Sequence, residues 1–262
     1  MNAEQRTETQ DLYFGMMAEM DLTKHIGSVD ATLRIAELCR IGPQSTVLEV
    51  GCGVGYTPVY LARKLGCRVV GVDLYPSMVE RAQERVRRAG LDEQVEIRQG
   101  DMMDLPFEDG QFDAVMAESV VAFAPDKARA LAELKRVLKP GGTLGVTEST
   151  WNRDPSPELL ARAARIMGEN YETYSVDGWR ALFEAAGFEE VVAEAHPVRI
   201  KREATGRMER IGCRNVLSAL ANFFAMFVRK PHIRRLYSNV LSEPKELVSA
   251  YDYGIYAGRK PQ

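Results

Sequence analysis

Val47-Leu48-Glu49-Val50-Gly51-Cys52-Gly53-Val54-Gly55 is the stretch on which the fold turns. An apolar run of strand length leads into three alternating glycines, and Thr57-Pro58 then opens a helical pattern. Thr57 reads as the N-cap of that helix and Pro58 as a first-turn residue. Glycines lack a Cβ and let a ligand approach the backbone. Exposed N–H groups at a helix start favour a carboxylate or phosphate. The bland alternative is a tight strand-to-helix turn, and the surroundings decide against it.

Working outward, strand and helix patterns alternate. Ser28 reads as the cap of a helix running to about Arg40, stopped by Gly42-Pro43. Strands are expected at Thr46–Val50, Arg68–Val72, Val95–Arg98, Phe112–Ala117 and Thr143–Thr147. Helices fall between them: Pro58–Leu65, a stretch from Pro76 to Gly90, and Ala128–Leu138, which Lys139-Pro140-Gly141-Gly142 closes. Ser156–Gly168 and Val176–Ala186 read as further helices, and Glu190–Ala195 and Tyr253–Ala257 as the sixth and seventh strands. The alternation predicts a parallel, doubly wound sheet with right-handed crossovers. Ligands in such sheets sit at the carboxyl ends of the strands, near the reversal of strand order.

Carboxylates follow the strands at those ends. Asp73 ends the second strand and can accept hydrogen bonds from both hydroxyls of a ribose. A nicotinamide dinucleotide and an adenosyl sulfonium satisfy that equally. The loop spacing is GxGxG rather than the dinucleotide fingerprint GxGxxG. Glu49, two residues before the first glycine, would repel a pyrophosphate and suit an ammonium or sulfonium. Asp101 after the third strand can accept from an adenine amino group, and Met102 or Leu74 can flank the ring.

Glu49–Gly55, Gly71-Val72-Asp73, Gly100–Phe107 and Arg136–Gly142 together resemble, in order and spacing, the class I S-adenosylmethionine-dependent methyltransferases. Leu182–Phe188 is also similar to theirs, and the resemblance covers about residues 30–195 plus the last strand. It implies a Rossmann-like, doubly wound, seven-stranded sheet, mostly parallel with an antiparallel last strand. Gly51, Gly53 and Gly55 would pass the methionine moiety of S-adenosylmethionine, with Glu49 nearby. Asp73 would hold the ribose, and Leu74, Asp101 and Met102 the adenine. Glu118 would line the methyl-transfer cleft. In related small-molecule enzymes the lead segment forms a lid, which points to Tyr13 as a cofactor contact and to His25. The implied neighbours methylate sterols, quinone precursors or phosphobases.

Four units follow: a lid (residues 1–27), a cofactor-binding core (28–198), a helical substrate-cap insertion (199–246) and the last strand (247–262). Residues 199–235 carry ten basic residues against Glu203 and Glu209, and the rest of the chain is acidic. Val216–Val228 adds an apolar stretch too short to span a bilayer. It reads as a cap over an amphipathic acceptor, as a core helix with solvated basic ends, or as a peripheral membrane contact.

Methyl transfer from a sulfonium releases a neutral thioether, so alignment and a dry pocket are the main demands. A base is needed only when the acceptor holds a proton. Glu118 and His25 are the catalytic candidates. No metal is expected, because His25, His196 and His232 are scattered and the four cysteines form no CxxC pair. Those cysteines and a polar N-terminus with no signal core predict a cytoplasmic protein. A net charge of -3 argues against a general nucleic-acid binder. The expected product is S-adenosylhomocysteine and the expected partner a small-molecule methyl acceptor. A nicotinamide-dependent oxidoreductase and a non-catalytic cofactor-binding module remain as alternatives.

Overall fold

The computed structural model describes residues 8–21, 25–199, 205, 227–229, 247 and 249–262. Its centre is a seven-stranded sheet: β1 (Thr46–Val50), β2 (Arg68–Asp73), β3 (Val95–Gln99), β4 (Phe112–Glu118), β5 (Leu138–Trp151), β6 (Glu189–Pro197) and β7 (Tyr251–Arg259). The spatial order is β3-β2-β1-β4-β5-β7-β6, with β7 antiparallel to both neighbours and the other pairs parallel. Strand order therefore reverses between β1 and β4, as the doubly wound reading requires.

Side chains alternate across the sheet and build a core on each face. Val47, Val69, Ala114 and Met116 pack against α2 (Ser28–Leu38), α3 (Tyr56–Leu65) and α4 (Pro76–Ala89). Leu48, Val72, Val115 and Ala117 pack against α5 (Lys127–Val137) and α7 (Val176–Ala185). Trp179 and Phe183 of α7 are fully buried there, each worth roughly 1.5–3 kcal/mol of transfer free energy. Of two further helices, α1 (Glu8–Glu19) lines the site and α6 (Pro157–Met167) packs against α1.

Three local expectations are corrected. Thr57 is not the N-cap of α3. Gly55 is, in a left-handed conformation, which lets the helix start at Tyr56 and frees the Thr57 hydroxyl to donate to Glu118 at the end of β4. Gly27 rather than Ser28 caps α2, again from the left-handed region, and the helix ends at Leu38. Lys139-Pro140-Gly141-Gly142 does not close a helix with a turn. It forms the start of β5, where Lys260 and Pro261 supply backbone acceptors for Gly141. Most of the 199–246 insertion lies outside the described residues.

Candidate active site

The reversal point opens into a cavity at the carboxyl ends of β1, β2, β3 and β4. The glycine loop makes its floor. Gly51, Gly53 and Gly55 all take positive φ. Gly51 packs so closely that a Cβ would lie 2.6 Å from Val120. Gly55 does not line the cavity. It lies against α4, where a Cβ would stand 2.9 Å from the Ala82 backbone. The Gly51 and Cys52 N–H groups both donate to Val72 O, which ties the loop to the end of β2.

Asp73 is buried at that end. Its Oδ2 accepts from Gly53 N at 2.8 Å and its Oδ1 from Tyr75 N at 3.0 Å. Burial pushes its carboxyl up to about 6, against the pull of the Tyr75, Gly53 and Leu74 N–H groups. Glu49, also buried, sits on β1 at the cavity wall. The Cys52 thiol is raised well above its usual range by burial and then by Asp73 and Glu49, so it is no nucleophile. On β3's side, Asp101 Oδ1 accepts from Met103 N at 2.9 Å and folds the loop that presents Met102 to the cavity.

Glu118 ends β4 on the opposite wall. Its Oε1 accepts from Thr32 Oγ1 at 2.7 Å and its Oε2 from Thr57 Oγ1 at 2.9 Å. His25 Nδ1 lies 3.7 Å from Oε1. The two catalytic candidates of the sequence, 93 positions apart, are thus brought into contact. Ser119 follows with a positive φ, and its Oγ accepts from Ile26 N at 3.2 Å, pinning the lead segment over the site.

The structure brings Glu49, Gly51, Gly53, Asp73, Leu74, Asp101, Met102, Glu118 and His25 to one cavity. The side chain of Tyr13, on α1, lies outside the described residues. Sequence reasoning missed Gln10, Phe14 and Met17 of α1 and Phe123 as wall residues. Phe14 contacts Tyr75 and Phe123, with ring centroids 5.0 and 5.2 Å apart. It also missed Thr32 and Thr57 as the hydroxyls that hold Glu118. The apolar spacing of α1 is weak, so no sequence signal marked it as a wall.

The donor set tests the implied cofactor. Among the described lining residues there are four carboxylates and neither lysine nor arginine. A pyrophosphate would meet repulsion there, whereas a ligand bearing a sulfonium and an ammonium meets attraction. Leu74, Met102 and Met103 supply apolar walls for a flat ring. The site fits S-adenosylmethionine.

The fold and site define the Rossmann-like methyltransferase class. A family model described as a methyltransferase domain matches residues 48–146. The sarcosine/dimethylglycine N-methyltransferase of Halorhodospira halochloris is 31% identical over 204 residues, covering 77% of this chain and 72% of that protein. Two further curated relatives are spanned over about three fifths of their length. Among solved structures, the [4+2]-cyclase SpnF superposes with a TM-score of 0.76 at 23% identity, covering 97% of this chain and 94% of that one. A Haemonchus contortus phosphoethanolamine N-methyltransferase with S-adenosyl-L-methionine bound gives 0.73 at 23% identity, over 98% of this chain and 59% of that one. At such identities the superpositions speak for the fold alone. The chain belongs to the class I S-adenosylmethionine-dependent methyltransferases.

Proposed function

We propose that this chain transfers a methyl group from S-adenosylmethionine to a small amphipathic or apolar metabolite in the cavity between Asp73 and Glu118. The observation that carries the reading is the carboxylate-rich lining of that cavity, which among the described residues includes neither lysine nor arginine. When bound, the cofactor supplies a methyl group on a cationic sulfur and leaves as S-adenosylhomocysteine. Asp73 would hold the ribose hydroxyls with the lone pairs its backbone bonds leave over, and Glu49 would face the cationic end. Gly51 and Gly53 would let the methionine moiety lie against the backbone, while Leu74, Asp101 and Met102 would hold the adenine.

Glu118 has both oxygens committed to hydroxyl donors, which makes it a positioning group more than a proton acceptor. His25, fixed beside it, is the residue to take a proton from an oxygen or carbon acid; an amine acceptor needs no base. Residues 1–27 act as a lid, with α1 supplying Phe14 and Met17 to the cavity. The insertion 199–246 serves as the acceptor cap, and its basic and apolar residues suit a polar-headed acceptor. The free Cys39, Cys52 and Cys67 fit the reducing cytoplasm. Among the described residues no helix is long and apolar enough to cross a membrane and no group of side chains could hold a metal ion.

Parallel calorimetric titrations with S-adenosylmethionine, S-adenosylhomocysteine and NAD test the reading. Micromolar binding of the two adenosyl ligands, with no heat from NAD, is expected. Binding of NAD, or of none of the three, overturns it. The SpnF superposition shows that this fold hosts more than one chemistry, so transfer is checked separately with methyl-labelled cofactor.

A further inference from the structure

A second buried carboxylate stands behind the cavity wall. Glu148 of β5 is 1% exposed. Its Oε1 accepts from Val121 N at 2.7 Å and from Ala122 N at 3.2 Å. Those two residues open the 3-10 turn Val121–Phe123 that follows β4. The turn is gripped from two other directions: Glu172 N donates to Ala122 O at 2.9 Å, and Lys127 Nζ donates to Ala124 O at 3.0 Å. Phe123, Ala124 and Pro125 then form one wall of the cavity. The Phe123 ring meets Tyr171 on its other side, at 5.2 Å between centroids. Ala124 also packs on Met103 and Met102.

We propose that Glu148 is a positioning residue for this cavity: through the two N–H groups it holds, it sets the wall made by Phe123, Ala124 and Pro125, and its ionisation tunes cofactor affinity. This inference rests on the reading of the cavity as an adenosyl site. The physical ground is that hydrogen bonds to an ionised carboxylate are about twice as strong as neutral ones. A proton on Glu148 therefore loosens the turn without breaking the fold. Burial pushes this carboxyl up to about 7, opposed by the Ala122, Val121 and Val120 N–H groups and by Lys127. The titratable groups facing it are Lys127 from α5, Tyr171 from the segment before α7 and Tyr256 from β7; beyond them lie Glu172, paired with Lys127, and Asp177 of α7, near Tyr256. Charged residues of α2 lie across the sheet, against the face that carries Gly145.

The test is calorimetry of the full chain with S-adenosylhomocysteine from about pH 5.5 to about 8.5. In the wild type, affinity should fall by about fivefold as pH drops through the neutral range, and again nearer 6 as Asp73 protonates. Glu148→Gln should remove the first fall and keep the second, and Asp73→Asn should do the reverse. Near-UV circular dichroism reports whether the variant is folded, because Trp151 and Trp179 both donate to the Ser149–Thr173 region. Superimposable profiles for wild type and a folded Glu148→Gln overturn the proposal. Hydrogen exchange on the wild type needs no variant. Protection of the Val121 and Ala122 amides, relative to other sheet amides, should rise through neutral pH, and a constant ratio overturns the proposal equally. If the wild type binds no adenosyl ligand, the reading of the cavity fails and the proposal falls with it.

Discussion

At the scale of single residues, the proposed site rests on carboxylates at the strand ends. Asp73 keeps two backbone bonds, so its orientation is set before any ligand arrives. Asp73→Ala should weaken S-adenosylhomocysteine binding by more than about tenfold, of order 1.4 kcal/mol; an unchanged calorimetric constant would refute the ribose assignment. Much of this was legible in the chain. The glycine loop after the first strand and the carboxylate ending the second were both read from the sequence, whereas the bond from Gly53 N to Asp73 Oδ2 emerges only once β1 and β2 pair. Thr32 was not legible, because its hydroxyl reaches Glu118 only once α2 has docked across 86 positions of sequence. Glu148 was hidden for a different reason. β5 is buried on both faces over Val146–Trp151, so alternation does not separate a carboxylate facing solvent from one inside.

Elements carry the next layer. Arg85 of α4 joins three of them: its Nε donates to Val54 O at 2.8 Å, its Nη2 to Asp21 Oδ1 at 2.7 Å, and its guanidinium lies 3.4 Å over the Tyr56 ring. It therefore ties the chain just after α1 to the glycine loop. Arg85→Ala should cost about 1–3 kcal/mol and accelerate amide exchange in residues 8–21 more than in the sheet, as seen by mass spectrometry. Gly55→Ala should be as costly, because the added methyl meets backbone of α4 at a φ of +82°; a melting temperature equal to the wild type would contradict that geometry. Element type was readable from periodicity and, for α4, from Pro76 at its start and Gly90 at its stop. Element starts were read less well where glycine in the left-handed region did the capping that Thr57 and Ser28 were expected to do. The glycine motif had a ligand-facing reading that drew attention from its role as a helix start.

For the whole molecule, two buried carboxyls shape stability. Asp73 and Glu148 are raised from 3.8 and 4.5 to about 6 and about 7 by burial. A folded state that binds these protons more tightly than the unfolded chain loses stability as pH rises. The loss begins above the unfolded values and is complete once pH passes the folded ones. Asp113, Glu133 and Glu194 are shifted downward, and their opposite contribution is spent below their ordinary values. The urea midpoint of the ligand-free protein should therefore fall between about pH 5 and about pH 8, and Glu148→Gln should flatten the upper part of that fall. A midpoint that rises over this range would show that the two carboxyls are not the controlling pair.

The position of β7 has a consequence for how the molecule comes into being. Among the described residues, β6 is bonded to no strand but β7, and the outer edge of β5 is covered by β7 alone. A chain emerging in order makes β5, then β6, then residues 198–250, before the strand that seats between them exists. Until then a five-strand sheet shows an open margin and β6 has nowhere to go, which is the condition under which strands pair with the wrong neighbour. Assembly of the seam is thus late, and the strands that bear the cavity leave the ribosome well before the strand that closes the sheet.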